Sequence, residues 1–343
     1  MWAVDNTTPF AAEGYFVRDR EGLENWVVAL RASFDIRADG LVSMRETQPP
    51  VRLAPQYEGD GSEVLLAEAE ICPFRPRVDF IVAGTACRPD MKAGRELEVL
   101  VDVAGRQKRA RVSGPRRLRA VKRRRPEIEA AEPFESLALS WRHSLGGRDP
   151  ILGDEATAFN DDNPAGRGWT TRWEDLPAGA ELDLPQIEDT AAPVAIGKPL
   201  PVPFGFGAIQ PHWRPRRKFA GTYDDAWRTN RQPLLPDDFD NAFYQSAPAD
   251  QIFDLRGGEP VRVVNLSPHG ELAFRLPQAI FEARTQLGRE RIDTRFRLIG
   301  VHLDTAASTV EMIWNTVVPC HGRDMDVDRS TVRLRQIAGV SRS

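Results

Sequence analysis

Apolar and polar side chains alternate along the first part of the chain. Every second residue is apolar between positions 25 and 37, and the same pattern returns at 96–103. Alternation over this length is typical of a strand with one buried face. Ala104-Gly105 is a two-residue turn that leads back into residues 107–112. Residues 1–130 are therefore predicted to form an N-terminal antiparallel β domain, as a sandwich or a barrel.

The same pattern predicts strands in residues 256–343. Two predicted strand pairs, residues 260–276 and 294–318, are each joined by a short polar loop. The apolar positions around Leu334 indicate either a last strand or a short helix, and the pattern does not decide between them. We expect these C-terminal hairpins to pack with the N-terminal part, so that the fold is mainly β.

Residues 131–255 are rich in Gly, Pro and aromatic side chains but show little periodicity. Such a length without regular structure is unusual in a compact domain and is often functional. Its many aromatic residues argue against disorder. We predict an ordered irregular segment with short helices that wraps over the β core.

Within this segment, residues 219–251 combine aromatic, Asp and Pro residues most densely, and we call them the hub. Thr222 is expected to cap a turn that carries Asp224 near its start, where free backbone amides favour carboxylates. In a second turn Phe239 and Phe243 lie four residues apart and share a face. We interpret the hub as a packed element between two β-rich parts rather than as a surface loop, with Trp227 buried in it.

Composition narrows the classes of function. The chain has 343 residues and a formal net charge of −4, so no global field favours nucleic acid or a membrane surface. No apolar run approaches the roughly 20 residues needed to cross a bilayer, and the first residues do not resemble a signal peptide. The three Cys residues are widely spaced and include no Cys-x-x-Cys pair. We expect a cytoplasmic protein with reduced cysteines.

One tract, residues 106–125, is strongly basic. It is interpreted either as a patch for an acidic partner or as a solvated strand face that is neutralised within the molecule. Nucleic-acid binding is the least favoured reading, because no aromatic residues for base stacking are interleaved.

The catalytic motifs that we sought are absent from the sequence. It holds no phosphate-binding Gly-rich loop, no nucleophile elbow and no His pair at zinc-binding spacing. The hub carboxylates together with His212 leave one alternative, a metal-assisted hydrolase using the Asp-rich stretch 224–240. Helix capping explains the same Asp residues without catalysis, so we expect no enzymatic activity, no cofactor and no metal.

Several short motifs, in order, resemble a bacterial family long labelled as of unknown function, whose members are encoded beside type VI secretion spike components. The matching motifs are TPF (8–10), PRVDFIVAG (76–84), NPAGRGW (163–169), GTYDDAW (221–227), PLLPDDFD (233–240), APADQ (247–251) and GGEPVRVVNLSPHGELAFRLP (257–277). The chain departs from the family pattern at Gly114-Pro115-Arg116, where Gly-Asp-Arg is usual.

The resemblance implies an adaptor or chaperone that binds a secreted effector, or its spike-tip carrier, and helps load it onto the spike. Aromatic and Arg residues are the most apt anchors of such an interface. The candidate partner-binding residues are Trp213, Arg214 and Arg216, followed by Arg116, Arg117, Arg123 and Arg124 of the basic tract. The motifs of the resemblance also define a structural set in the hub: Gly221, Thr222, Tyr223, Asp224, Trp227, Pro236, Asp238 and Phe239.

Overall fold

A computed structural model of the chain describes residues 2–59, 64–121, 126–152 and 158–341. These residues form a mainly β fold with several antiparallel sheets and two short α-helices, as the alternation predicted. Arg123 and Arg124 lie outside the described residues.

The strands, in chain order, are β1 (Ala3–Asn6), β2 (Ala11–Arg18), β3 (Glu24–Ile36), β4 (Val42–Met44), β5 (Gln56–Tyr57), β6 (Leu65–Ala67), β7 (Val78–Ala83), β8 (Thr85–Cys87), β9 (Glu96–Val103), β10 (Arg106–Ser113), β11 (Arg117–Arg119), β12 (Glu127–Ile128), β13 (Ser136–Ala138), β14 (Leu145–Gly146), β15 (Arg167–Gly168), β16 (Glu181–Asp183), β17 (Ile187–Asp189), β18 (Ile252–Phe253), β19 (Pro260–Val264), β20 (Glu271–Arg275), β21 (Gln278–Leu287), β22 (Glu290–Arg295), β23 (Arg297–Asp304), β24 (Thr309–Pro319) and β25 (Val327–Ala338).

The helices are α1 (Arg214–Arg217) and α2 (Asp225–Asn230), together with 3-10 turns at Trp141–His143, Trp173–Asp175, Asn241–Tyr244, Ala249–Gln251 and Asp324–Asp326. Within the described ranges, no helix has both the length and the apolar character that crossing a membrane requires.

Three large sheets are built from strands of both chain ends. The first, in the order β18-β7-β23-β24-β3-β2, also takes β4 against the end of β3. The second has the order β17-β10-β9-β19-β20, and the third the order β1-β25-β21-β22. Most pairings are antiparallel, whereas β7 with β23 and β1 with β25 are parallel.

One apolar core is shared by these sheets. It contains Trp26 and Phe34 of β3, Val99 of β9, Phe281 of β21 and Trp314 of β24, all 2% exposed or less. The alternation identified in β3, β9 and β24 places these side chains inward. Residues around Leu334 belong to β25, a strand, which settles the choice that the sequence left open.

The prediction of one buried face was wrong for β3, whose two faces are both covered. Arg31, on the supposed solvent face, is 7% exposed, and Ser33 is fully buried. The chain between β4 and β7 lies over this face, and Gln48 bonds both the N–H and the C=O of Ser33. The Gln48 side chain thus satisfies the backbone N–H and C=O of Ser33, which lies between the parts of β3 that pair with β2 and with β4.

Four charged side chains join this covering segment, which we call the cover, to β3 and β24. The Arg52 Nη1 atom lies 2.7 Å from Glu70 Oε1, and Arg31 Nη2 lies 2.5 Å from Glu311 Oε1. Arg52 also reaches Glu311 at 3.3 Å. Burial raises the pKa of Glu70, although Arg52 and Arg31 oppose that shift. A buried network of this kind depends on all of its members because a lone buried charge is strongly unfavourable.

Glu70→Ala is therefore expected to lower the unfolding free energy by about 3 kcal/mol, since Arg52 and Arg31 lose their most buried partner. The control is Arg45→Ala, whose pair with Asp35 is exposed (42% and 49%) and should change stability by less than about 0.5 kcal/mol. Urea unfolding compares the two variants. Equal small effects would show that the network does not hold the cover.

Candidate partner-binding groove

The first half of the hub is a surface element, which corrects the prediction of a packed hub. α2 contains no buried residue, Tyr223 is 51% exposed and Trp227 is half-buried. The rings of Tyr223 and Trp227 meet edge to face at 4.7 Å, and Trp227 Nε1 donates to the Leu234 carbonyl. These aromatics pack locally rather than into the β core. The N-cap of α2 is Asp224, which accepts from Trp227 N, and not Thr222.

Thr222 instead joins two of the sequence motifs. Its N–H and hydroxyl donate to the two oxygens of Asp238 at 2.9 and 2.8 Å, and these bonds lower the pKa of the Asp238 carboxyl. Gly221 has φ +80, and a Cβ there would lie 2.8 Å from both Asp238 and Pro236. Close approach and a left-handed backbone explain the glycine.

The second half of the hub packs against the β core. Gln245 and Ser246 both donate to the buried carboxylate of Asp79 in β7, at 2.6 and 2.8 Å. Phe239 is 6% exposed, and its ring lies 5.6 Å from that of Phe243, as their spacing predicted. This half fixes residues 247–251 beside the groove described below.

The Asp-rich stretch is occupied by structural contacts. Asp224 and Asp240 each cap a helical turn, and Asp238 binds Thr222. Across the part of the chain that the structure describes, no group of three or more His, Cys, Asp and Glu side chains could hold a metal ion. His212 is exposed next to α1.

Of the three candidate anchors at 213–216, only Arg214 lies at the surface. Trp213 is 1% exposed and meets Trp141 edge to face at 5.7 Å. Arg216 is buried, donating to Glu68 at 2.5 Å and to the Ile209 carbonyl at 2.7 Å. The expectation that Trp213 and Arg216 are available to a partner is therefore wrong. The Pro-rich run folds inward because these two side chains join it to the core.

The described part of the basic tract is matched within the molecule. Arg111 and Arg116 share the buried carboxylate of Glu188, which removes Arg116 from the candidate partner-binding residues. Arg117 is exposed and pairs with Asp183 at 3.0 Å. Of the two interpretations of the tract, neutralisation within the molecule fits these residues.

A surface groove of about 820 Å³ lies between residues 201–205, α1 and residues 248–250, and it is called the groove below. Its wall is apolar, formed by Pro201, Val202, Pro203 and Phe204, and Val202 is 76% exposed. Arg214 stands at the rim, where its Nε atom donates to Asp162 Oδ1 at 2.7 Å.

Buried aromatic packing supports the groove from below. Trp141 lines it and donates from Nε1 to the Gly207 carbonyl at 3.1 Å. Asn163, from the NPAGRGW motif, donates to the carbonyls of Trp141 and Leu145, both at 2.9 Å. The motif residues thus position the groove floor rather than face a partner.

Lys108 is the buried member of the charged residues that line the groove. Its Nζ atom donates to the Gly205 carbonyl at 2.6 Å and to Asp250 Oδ1 at 2.8 Å. It also lies 4.6 Å from the centre of the Phe204 ring. Burial lowers the pKa of Lys108 to about 8, against the opposing effect of Asp250. Lys108 thus places a cation on an aromatic face beside the apolar wall of the groove.

Sequence reasoning missed the groove wall and Lys108. The available signal was the alternation of Pro199, Pro201 and Pro203, which removes backbone donors at every second position. Nothing in local sequence shows that Lys108, one of many basic residues in its tract, is the one turned inward.

The fold and groove define a β-rich protein with an ordered irregular arm that carries an apolar surface groove. Residues 21–315 match the family described as "Uncharacterized protein conserved in bacteria (DUF2169)", and the chain belongs to this family. Searches of curated proteins and of solved structures gave no match.

Phe239→Ala is expected to cost about 3 kcal/mol because a buried ring is lost. Trp227→Ala should cost roughly half as much, since its ring is already partly in water. Thermal and urea unfolding of the two variants measure this order. A larger loss of unfolding free energy for Trp227→Ala than for Phe239→Ala would support the packed hub that the sequence predicted.

The low pKa of Lys108 predicts a pH-dependent stability. Between pH 8 and 10.5 the folded chain binds fewer protons at this group than the unfolded chain, so the unfolding free energy rises with pH. We expect the wild type to gain stability relative to Lys108→Met from pH 7 to pH 9.5 in urea unfolding. The exposed Lys198→Met is the control. A difference that stays constant with pH would contradict the buried, charged Lys108.

Proposed function

We propose that this protein is a non-enzymatic adaptor or chaperone that binds a type VI secretion effector, or its spike-tip carrier, in the cytoplasm before loading onto the spike. The motifs that resemble the spike-associated family motivate this proposal. The observation that carries it is the groove, an apolar surface whose wall includes the highly exposed Val202. Exposed apolar surfaces rimmed by polar residues are typical of interaction sites.

The expected ligand is an extended apolar segment of the effector. Pro201 and Pro203 offer no backbone N–H, so recognition would depend on side-chain packing rather than on strand pairing along this wall. The groove volume of about 820 Å³ accommodates several apolar side chains. At the rim, Arg214 and Asp162 would orient polar groups that flank the segment.

The adaptor role is compatible with the rest of the groove's construction. Trp141 and Trp213 are buried under it and keep the wall in place without a ligand. A preformed surface loses little conformational entropy on binding. The hydrogen bond between Thr222 and Asp238 has no direct role in binding here. It supports the segment that follows it, which ends beside the groove.

The test is co-expression with the candidate effector and spike-tip proteins encoded beside this chain, followed by affinity capture through a tag. Wild type should recover a complex and raise the soluble yield of the effector. Val202→Glu should lose at least about tenfold in recovery, because the new carboxylate would have to leave water where an apolar segment packs on the wall. Its melting temperature should not change, since Val202 is 76% exposed.

Met325→Glu is the matched control, because Met325 is 74% exposed and lies in a turn away from the groove lining. It should recover the effector as the wild type does. Absence of any complex in the wild type would refute the adaptor role. Equal recovery by Val202→Glu would leave an adaptor but would refute the groove as its site.

A further inference from the structure

A second surface, on the outer face of the β1-β25-β21-β22 sheet, is dominated by arginine. Alternation along β21 turns Phe281, Ala283, Thr285 and Leu287 inward, where they are buried. The side chains between them, and their cross-strand partners, point outward. Five arginines at these positions (Arg284, Arg291, Arg295, Arg329 and Arg333), with Arg335 at a bulge of β25, are called the arginine face.

The strand register places these arginines side by side. Glu282 is opposite Arg295 on one neighbouring strand and opposite Arg333 on the other. Gln286 lies likewise between Arg291 and Arg329, with no carboxylate in that row. Cross-strand neighbours on one face stand close enough to interact directly.

Carboxylates on this face do not balance the arginines. The carboxylates on this face are Asp5, Glu282, Asp293 and Asp328, which pairs with Arg329 at 3.4 Å, so six positive and four negative groups leave a local charge of +2. The whole chain, by contrast, carries −4. Arg284 pairs with Asp293 at 2.7 Å and Arg335 with Glu282 at 2.6 Å. Arg291 and Arg333 have no ion-pair partner among the described residues.

The face ends at an open strand edge. β22 pairs with β21 alone in the described part of the chain, so its other edge can accept an added strand. Along β22 the outward side chains are Arg291, Asp293 and Arg295. An added strand therefore meets a positive, a negative and a positive position at alternate residues.

We infer that this edge and the arginine face bind an extended acidic segment of a partner protein, with carboxylates four residues apart opposite Arg291 and Arg295 and a neutral or basic residue opposite Asp293. The surface shares no residue with the groove lining, and the inference does not rest on the adaptor role. Arginine suits the task because it forms bidentate bonds to carboxylates.

Charge on an edge strand also protects against aggregation, and this is the competing explanation. Edge protection accounts for Arg291 and Arg295. It does not account for Arg329, which lies on β25 between Ala3 of β1 and Gln286 of β21. The excess positive charge extends across the sheet, as binding to an acidic segment requires.

The probe is a fluorescein-labelled peptide in which Glu recurs at every fourth residue among Thr and Val, compared with its Gln counterpart. Anisotropy at low salt should show binding of the Glu peptide only. Arg291→Glu should weaken this binding about tenfold or more, whereas Lys198→Glu, with the same change of net charge, should not. Melting temperatures confirm that both variants fold.

Amide hydrogen exchange locates the peptide. Strand addition should slow exchange within residues 290–295 of the complex, because newly formed backbone hydrogen bonds cover the open edge. The inference is overturned if the Glu peptide does not bind, if Arg291→Glu binds it as tightly as the wild type, or if protection falls outside this strand. The first of these results would leave edge protection as the role of the charge.

Discussion

The pairing of β3 with β24 is the constraint on which the rest of the structure depends. Eleven residue pairs join Asn25 to Pro319 at one end and Asp35 to Thr309 at the other. This ladder brings chain segments almost 300 residues apart into adjacent positions at the centre of the largest sheet. Because the two strands pair directly, no other segment can lie between them, and β7, β18 and β23 extend the sheet on the β24 side.

This constraint explains the long irregular segment. It cannot enter the ladder between β3 and β24, so it lies over the sheets and buries its own aromatic side chains in smaller clusters. The cover over the second face of β3 brings Arg52 and Glu70 against Arg31 and Glu311. The groove forms where the segment turns past Phe204 and α1. The position of the groove thus follows from the pairing of β3 with β24, which leaves the irregular segment on the outside of the sheets.

Sequence pattern predicted the strands well because their period is local. β9 has the predicted bounds, and the strand pair predicted at 260–276 is β19 and β20, which end at Arg275. The pair predicted at 294–318 is β23 and β24, which begin three residues later, at Arg297, and end at Pro319. The hairpin of β21 and β22 was missed, although β21 alternates clearly between buried and outward residues. The parallel pairings of β1 and β7 depend on distant partners, which no local pattern reveals.

The site was predicted less well than the fold. Trp213 and Arg216 were chosen because their residue types favour interfaces, yet the same types form buried aromatic pairs and buried guanidinium clusters. Arg214, which lies between them in sequence, is the one that is exposed. Val202 and Lys108 were passed over because exposure and inward direction are set by tertiary packing. Residue type alone does not separate an anchor from a core residue.

The central claim, that the groove holds a segment of the effector, is tested most directly by photo-crosslinking. A benzophenone amino acid placed at position 202 should crosslink to the effector when the co-expressed complex is illuminated. The same group at position 325 should not. A complex that forms normally but gives no crosslink from position 202, or gives equal crosslinks from both positions, would contradict the account.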